Sequence, residues 1–387
     1  MPLKKLFLAH ASTDALELGH LATQLRLHGV VPWVDKDGGF AVGDHSEEEA
    51  RRAIREDCFG LLLYATSDSF NRPFIRDVEI DEAKTVKAAN DHFALFAVPR
   101  RLTFPELRRL SLLHFDYDLA PYHTVAIPSS ADFHASISHV SRAVLHKFLS
   151  LTPTAPASLQ FSTRDLLPDD ADDLLCVNAT HLSSCLCDNA AWQDLLSALK
   201  HVKAAITSTL GRPHLHVHGS KHLSAAFVFG RVFAPFHLHI RQTPNAVWST
   251  DSSPSQSNTL PVSYLQAADS SSELFVEISA GRKNVALGVD EFIASTASVP
   301  PNRLQFQPSA PVTMDNASCL AAVQQVYSEI ERIMRRRPIV ELHIFAAMPQ
   351  SFMMMLGRAF KGMPSTCLYE WVQDRYVAVC LVPAGVL

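Results

Sequence analysis

Leu215-His-Val-His-Gly-Ser-Lys-His-Leu-Ser-Ala-Ala-Phe-Val-Phe-Gly-Arg-Val-Phe233 and Leu342-His-Ile-Phe-Ala-Ala-Met-Pro-Gln-Ser-Phe-Met-Met-Met-Leu-Gly-Arg-Ala-Phe360 align without a gap. Leucine, histidine, serine, glycine, arginine and phenylalanine recur at matching positions, and the apolar positions agree almost throughout. Each copy reads as a buried strand, a short loop and a helix whose apolar face packs on a sheet. Packing alone makes many such units look alike, but it does not demand the shared Ser-x5-Gly-Arg spacing. A duplication of this kind predicts two similar α/β halves side by side, with their post-strand loops facing one groove. Helix N-termini aimed at such a groove make an anion site.

Working outward, the N-terminal stretch alternates strands and helices. Residues 5–11 read as a buried strand, Ser12-Thr13-Asp14 caps a helix carrying Leu18, Leu21, Ala22 and Leu25, and Val30 to Val34 forms a second strand. A loop from Asp35 to Asp44 holds Gly38, Gly39 and Gly43, and Ser46-Glu-Glu-Glu49 is a capping box. Gly60 to Ala65 is the third strand, residues 74–89 a helix, Phe93 to Val98 the fourth strand, and about 134–149 a last amphipathic helix. That alternation implies a parallel, doubly wound sheet. Residues 151–173 are Pro-, Ser- and Asp-rich and are assigned as a linker between a first domain at 1–150 and a second at 174–387. The polar stretch 249–258 reads as an exposed loop within the second domain.

Bulk properties narrow the function classes. At 387 residues, with 47% hydrophobic and 19% charged residues, the chain suits two or three folded domains. A net charge of −5 argues against a DNA-coating surface. The seven cysteines are odd in number and contain no CxxC pair, against a disulfide framework or a cysteine zinc site. No signal-peptide core or bilayer-length apolar run stands out, so the expected setting is the cytoplasm, without a membrane partner. His214, His216, His218 and His222 alternate on one strand, but a zinc site needs further ligands and the second copy keeps only His343, so no metal is expected.

Residues 1–150 resemble a TIR domain. The resemblance rests on Leu-Phe-Leu-Ala-His-Ala-Ser-Thr-Asp at the start, Val-Pro-Trp33-Val-Asp35, the glycine-containing loop to Gly43-Asp44, the third strand Gly-Leu-Leu-Leu-Tyr-Ala-Thr-Ser, and Phe74-Ile-Arg-Asp-Val-Glu79. From about residue 160 onward the chain is similar to SAVED domains, through both repeat copies, Leu274-Phe-Val-Glu-Ile-Ser279 and Leu368-Tyr-Glu-Trp-Val-Gln-Asp-Arg-Tyr376. The combination resembles a TIR-SAVED effector of cyclic-oligonucleotide-based anti-phage signalling (CBASS). It implies a flavodoxin-like parallel sheet followed by two fused CARF-like halves. It further implies a cyclic-oligonucleotide activator, with cyclic tri-adenylate the family-based choice. Self-association into a closed oligomer or a filament would follow, with NAD⁺ as substrate rather than cofactor.

Cleaving the nicotinamide–ribose bond passes through an oxocarbenium-like cation, which a carboxylate beside the ribose stabilises. The resemblance places that carboxylate at Glu79, beside the stripe of Ile75, Val78 and Val86, with Glu82 one turn on as the alternate. Phe74 stands where the family usually has Trp, with spacing one residue longer, so the register between the two glutamates stays open. Ser12, Trp33, Asp35 and Phe40 are the candidate dinucleotide contacts. A core aromatic and a turn-forming Asp describe Trp33 and Asp35 equally well. For the cyclic ligand the candidates are Lys221, His222 and Ser224 in the first copy, with Met348, Pro349 and Ser351 in the second. Arg282, Lys283, Trp248, Tyr369 and Trp371 add phosphate or stacking contacts. Arg231 and Arg358 sit where they would complement helix dipoles. Two rivals stay open: a non-enzymatic TIR scaffold that recruits a partner, and a constitutive nucleotide-metabolising enzyme.

Overall fold

The computed structural model describes residues 5–34, 46–122, 125–127, 133–151, 157–165, 174–211, 214–243, 246–255, 260–265, 271–280, 285–296, 301–308 and 311–385. Contacts divide the chain into two units. One comprises Met1–Ser158, Pro168–Asn178 and Ala204–Gly211; the other comprises Leu159–Leu167, Ala179–Lys203 and Arg212–Leu387.

In the first unit, β1 (Lys5–Ala9), β2 (Pro32–Trp33), β3 (Cys58–Ala65) and β4 (Ala94–Pro99) form one parallel sheet in the order β2-β1-β3-β4. β3 is buried along its whole length, as its near-continuous apolar run requires of a strand covered on both faces. The intervening helices are α1 (Ala15–Leu27), α2 (Ser46–Arg52), α3 (Ser67–Phe70), α4 (Asp81–Ala89), α5 (Phe104–Phe115) and α6 (Phe133–Leu151). Wide π-type turns extend α2 at Ala53–Asp57 and lead into α4 at Ile75–Ile80. α5 is an addition to the elements expected from sequence. Thr103 and Glu106 cap its start reciprocally, and Asp116, in the left-handed region, ends it. The core gathers Phe7, Leu61, Leu63, Ile75, Val78, Leu95 and Leu107.

Farther along come β5 (Ala157–Ser162), β6 (Leu175–Asn178), α7 (Asn189–Leu210), β7 (Leu215–His218), α8 (Leu223–Val232), β8 (Leu238–Thr243) and β9 (Ala246–Ser249). β6 groups with the first unit, where the Cys176 amide donates to the Gly29 carbonyl at 3.1 Å. β5, β7, β8 and β9 lie in that order. The remaining elements are β10 (Val262–Leu265), β11 (Glu273–Ser279), α9 (Val285–Thr296), β12 (Asn302–Phe306), α10 (Asn316–Met334), β13 (Glu341–Ala347), α11 (Gln350–Ala359), β14 (Ser365–Val372) and β15 (Arg375–Val382). Their strands build a six-stranded sheet ordered β10-β12-β11-β13-β14-β15. No described helix is long and apolar enough to cross a membrane.

The two repeat copies are therefore β7–α8 and β13–α11, and the two helices pack on each other reciprocally. A Cβ on Gly230 would stand 1.9 Å from the Met354 carbonyl oxygen, and one on Gly357 would stand 2.0 Å from that of Phe227. Met354 and Phe227 occupy matching positions of the repeat, so each glycine faces the counterpart of the other's neighbour. This is the signature of a local two-fold relation. It also sets the helices in an antiparallel sense, because 230 meets 354 while 227 meets 357. The shared arginines repeat the exchange. Arg231 Nη2 donates to the Pro383 carbonyl at 3.2 Å, and Arg358 Nε donates to the Ala234 carbonyl at 3.0 Å. Both arginines thus tie their own half to the other, rather than only complementing a helix dipole.

Candidate functional site

A cleft of about 570 Å³ opens at the start of α8, lined by Arg164, Asp165, Ser183, Leu186, His222 and the Glu370–Gln373 strand end. Antiparallel helices put their N-termini at opposite ends of the contact. The expected groove, with the Lys221-His222 loop facing Met348-Pro349, is therefore replaced by crossed pairing. Each helix start meets a strand-end side chain of the opposite half. The Ser224 amide donates to Glu370 Oε1 at 2.7 Å, and the Ser351 hydroxyl donates to Gln242 Oε1. Glu370 is only 5% exposed. Burial raises its carboxyl above the ordinary range, while the bonds from the α8 start and the Arg164 guanidinium at 3.9 Å pull the other way.

The post-strand loop of the first copy is built on Gly219. Its φ of +108°, and a Cβ position 2.2 Å from the Phe161 carbonyl oxygen, exclude other residues. The turn sends Lys221 inward. Its ammonium is buried, donates to the Gly219 carbonyl at 2.7 Å and lies 5.9 Å from the centre of the Phe161 ring. Burial lowers its pKa to about 7. Lys221 is thus buried rather than lining the cleft. Arg164, which sequence reading passed over, lines the cleft instead and is half exposed. His222 does line it. Its backbone amide donates to Thr163 Oγ1 at 2.9 Å, and its Nδ1 lies 3.0 Å from the same oxygen. Burial and the Arg164 guanidinium push its imidazole down to about 4, so the ring is neutral near pH 7.

Other candidates separate clearly. Trp371 lines the cleft, is 40% exposed and packs edge-on against Tyr376. Tyr369 is a packing residue, stacked on Phe345 at 4.1 Å with its hydroxyl 2.9 Å from His343 Nδ1. Trp248 is buried on β9 opposite Ile240, and Met348 is buried before α11, where Pro349 is the N-cap. Ser351 is fully buried. Aromatics and hydroxyls in a strand-rich core are first used to fill it. Arg282 and Lys283 lie outside the described residues, as do Asp35 and Phe40 of the first unit. The histidine series does not stay on one face, since His222 turns to Thr163 while His216 stacks on His239.

In the first unit the two candidate glutamates fall into different surroundings. Glu82 is gripped by Arg55, with Nε–Oε1 2.6 Å and Nη2–Oε2 2.9 Å, and by Arg51 Nη1 at 3.2 Å. Those guanidinium bonds hold its carboxyl below the ordinary value. Arg51 also donates to the Asp77 carbonyl at 2.7 Å, steadying the wide turn. Glu79 lies on that turn, 8% exposed, between the core residues Val78 and Ile80. Wide turns of this kind cluster at functional sites. Trp33 stacks on Phe7 at 4.5 Å, and Ser12 is exposed on a short turn after β1.

The chain passes from β1 outward to β2 and back across to β3, so the strand order reverses between β1 and β3. Ligands of such sheets bind beyond the strand ends at that reversal. Here Thr66 Oγ1 donates to Asp14 Oδ2 at 2.7 Å. Glu17 accepts from the Tyr64 hydroxyl at 2.6 Å and from Arg100 Nε at 2.8 Å. The Arg100 contact, helped by Tyr64, holds the Glu17 carboxyl down at about 2. The separation in sequence between Glu17 and Arg100 is why no local pattern announced this network.

Residues 198–382 match the SAVED domain, the SMODS-associated sensor domain found fused to various effectors. The second unit thus carries a SAVED sensor domain. CD-NTase-associated protein 4 of Acinetobacter sp. (strain ATCC 27244 / 9458) is 24% identical over 191 residues, which are 48% of this chain and 40% of that protein. The matched stretch therefore spans well under half of that relative. Two structures of the Acinetobacter baumannii Cap4 SAVED/CARF-domain receptor share the fold. The one with the cyclic trinucleotide 3'3'3'-cAAA has a TM-score of 0.52 at 14% identity, covering 94% of this chain and 97% of that one. The one with 2'3'3'-cAAA has a TM-score of 0.50 at 15% identity, covering 87% and 85%.

Proposed function

We propose that this protein is an NAD⁺ hydrolase switched on by a cyclic oligonucleotide, acting in anti-phage signalling. The sensor half of the reading rests on the SAVED domain and on the α8 cleft. That cleft offers an arginine, a neutral imidazole, an exposed tryptophan and a helix start, the chemistry that phosphates and bases require. The Cap4 receptors hold cyclic trinucleotides, so a cyclic trinucleotide of adenylate is the first ligand to test.

The effector half rests on the TIR resemblance. It is supported by the β2-β1-β3-β4 order, which begins the flavodoxin-like series, and above all by the contrast between Glu79 and Glu82. Glu82 is committed to two guanidiniums; Glu79 sits on a wide turn of the same helix, among apolar neighbours. A carboxylate so placed stabilises the ribosyl cation as neutral nicotinamide leaves, and water then adds to give ADP-ribose and a proton. The departing nicotinamide needs no strong acid, because the glycosidic bond already breaks toward a neutral ring. Ligand binding in the sensor would bring subunits together and complete the site.

Incubation of the full chain with NAD⁺, with and without each cyclic trinucleotide, tests the reading by release of nicotinamide. Cleavage is expected only with a cyclic trinucleotide, alongside a rise in light scattering. Glu79→Gln should lower it by about 100-fold or more, the scale of losing one transition-state electrostatic contact, at unchanged melting temperature. Glu82→Gln should instead lower the melting temperature. Cleavage without nucleotide would sink the gating, and full activity in Glu79→Gln would sink the site. Ligand binding and assembly without any cleavage would favour the scaffold.

A further inference from the structure

Around the starts of β7 and β8, away from the residues that line the α8 cleft, four imidazoles and a carboxylate gather. His214, just before β7, places Nδ1 3.1 Å from His239 Nε2 on β8 and 3.9 Å from Asp251 Oδ2, two residues past β9. One donor atom from each of His214, His239 and Asp251 lies within 4.8 Å of the others. His237 Nδ1 bonds the other oxygen of Asp251 at 2.5 Å, and its ring stacks on His214 at 5.0 Å. His216 backs His239 in the same way at 4.8 Å.

Tetrahedral zinc, with bonds of about 2.0–2.1 Å, holds its donor atoms about 3.3 Å apart. The spacings of 3.1 Å from His214 to His239 and 3.9 Å from His214 to Asp251 bracket that value, and all three donors lie within 4.8 Å of one another. Hydrophobic burial does not account for the grouping, because His214 and Asp251 are exposed. We infer that His214, His239 and Asp251 form a first-row transition-metal site, best suited to zinc, in which His237 orients the carboxylate and solvent completes the tetrahedron. Imidazole and carboxylate donors suit zinc, and the hydrogen bond to the far oxygen of the ligating carboxylate is the outer support such sites use. The ion would staple the chain before β7, strand β8 and the segment after β9.

The corresponding strands of the second half, β13 and β14, supply the natural competitor. Glu341, His343 and Cys367 also gather within 4.8 Å. There, however, the Cys367 thiol is pushed up to about 11 by burial, away from the thiolate a metal needs.

The test is titration of the chelator-treated full chain with zinc chloride by calorimetry, and with cobalt(II) by visible absorption. One zinc per chain and the intense visible bands of tetrahedral cobalt are expected. His239→Ala and Asp251→Ala should each weaken zinc binding by about 100-fold or more, since even outer-shell losses reach that size. His214→Ala, at an exposed position, guards against a folding defect, and unchanged melting of each metal-free variant is the control. Absence of saturable binding overturns the proposal. So does binding that survives His239→Ala and is lost in Cys367→Ser.

Discussion

The two repeat helices are alike where they touch each other and unlike where they begin. Gly230 and Gly357 make the same contacts twice, with Met354 and Phe227 exchanged across one local axis, while Arg231 and Arg358 each bond a different carbonyl of the opposite half. At the starts, Lys221 stands where the second copy has Met348, and Glu370 caps α8 where Gln242 meets Ser351 of α11. Packing therefore held the copies together while the chemistry at their starts diverged. The cleft opens at the α8 start, where the buried Lys221 of one half and the buried Glu370 of the other come together.

The comparison can be broken most severely at its axis. Gly230→Ala and Gly357→Ala each force a methyl into a carbonyl oxygen of the partner helix, which cannot retreat without moving the whole helix. Overpacking of this kind costs about 3 kcal/mol or more. Both variants should show a large and similar fall in melting temperature. A large effect at one glycine only would mean that the two-fold relation is not energetically shared.

Making the starts alike sharpens it further. Glu370→Gln gives α8 the neutral acceptor that α11 already has, keeps the bond from the Ser224 amide, and removes a negative charge from the cleft. An anionic cyclic trinucleotide placed there should bind about tenfold tighter, equivalent to about 1.4 kcal/mol, as measured by calorimetry. Weaker binding would mean that the carboxylate itself contacts the ligand. The same exchange has a pH signature. Burial raises the folded-state pKa of Glu370, so the native protein loses stability as pH rises from the ordinary glutamate value through the raised one. The variant should escape that loss.

The smallest effect is expected at Lys221→Met, which installs the residue of the other copy. The folded-state pKa of Lys221 is about 7 against an ordinary 10.5, so the native protein carries the full cost of the buried ammonium below pH 7. That cost declines between pH 7 and 10.5, where the unfolded chain still binds the proton. Lys221→Met should therefore melt a few degrees higher at pH 7, with the bond to Gly219 offsetting part of the gain. It should match the native protein near pH 10.5. Melting of both proteins at pH 6.5, 8.5 and 10.5 reads this directly.

Much of the architecture was legible because it is written in short periods. Strand-helix alternation predicted the parallel sheet of the first unit, and the ungapped repeat located β7–α8 and β13–α11. α5 was legible too, since Thr103 and Glu106 have capping-box spacing, but its short amphipathic run was passed over. The site was far less readable. Glu79 and Glu82 sit about one helical turn apart and look alike in sequence; the long-range approach of Arg51 and Arg55 to Glu82 tells them apart.

By itself the sequence determined which segments are strands and helices and that one unit occurs twice, because those depend on neighbours a few residues away. The tertiary structure decided the rest. It crossed the helix starts to opposite halves, turned Lys221 into the core, and brought Glu370 to Ser224 and Asp251 to His214 and His239. Each of these joins side chains from separate elements, and a contact of that kind is fixed by how the elements pack, which no local pattern records.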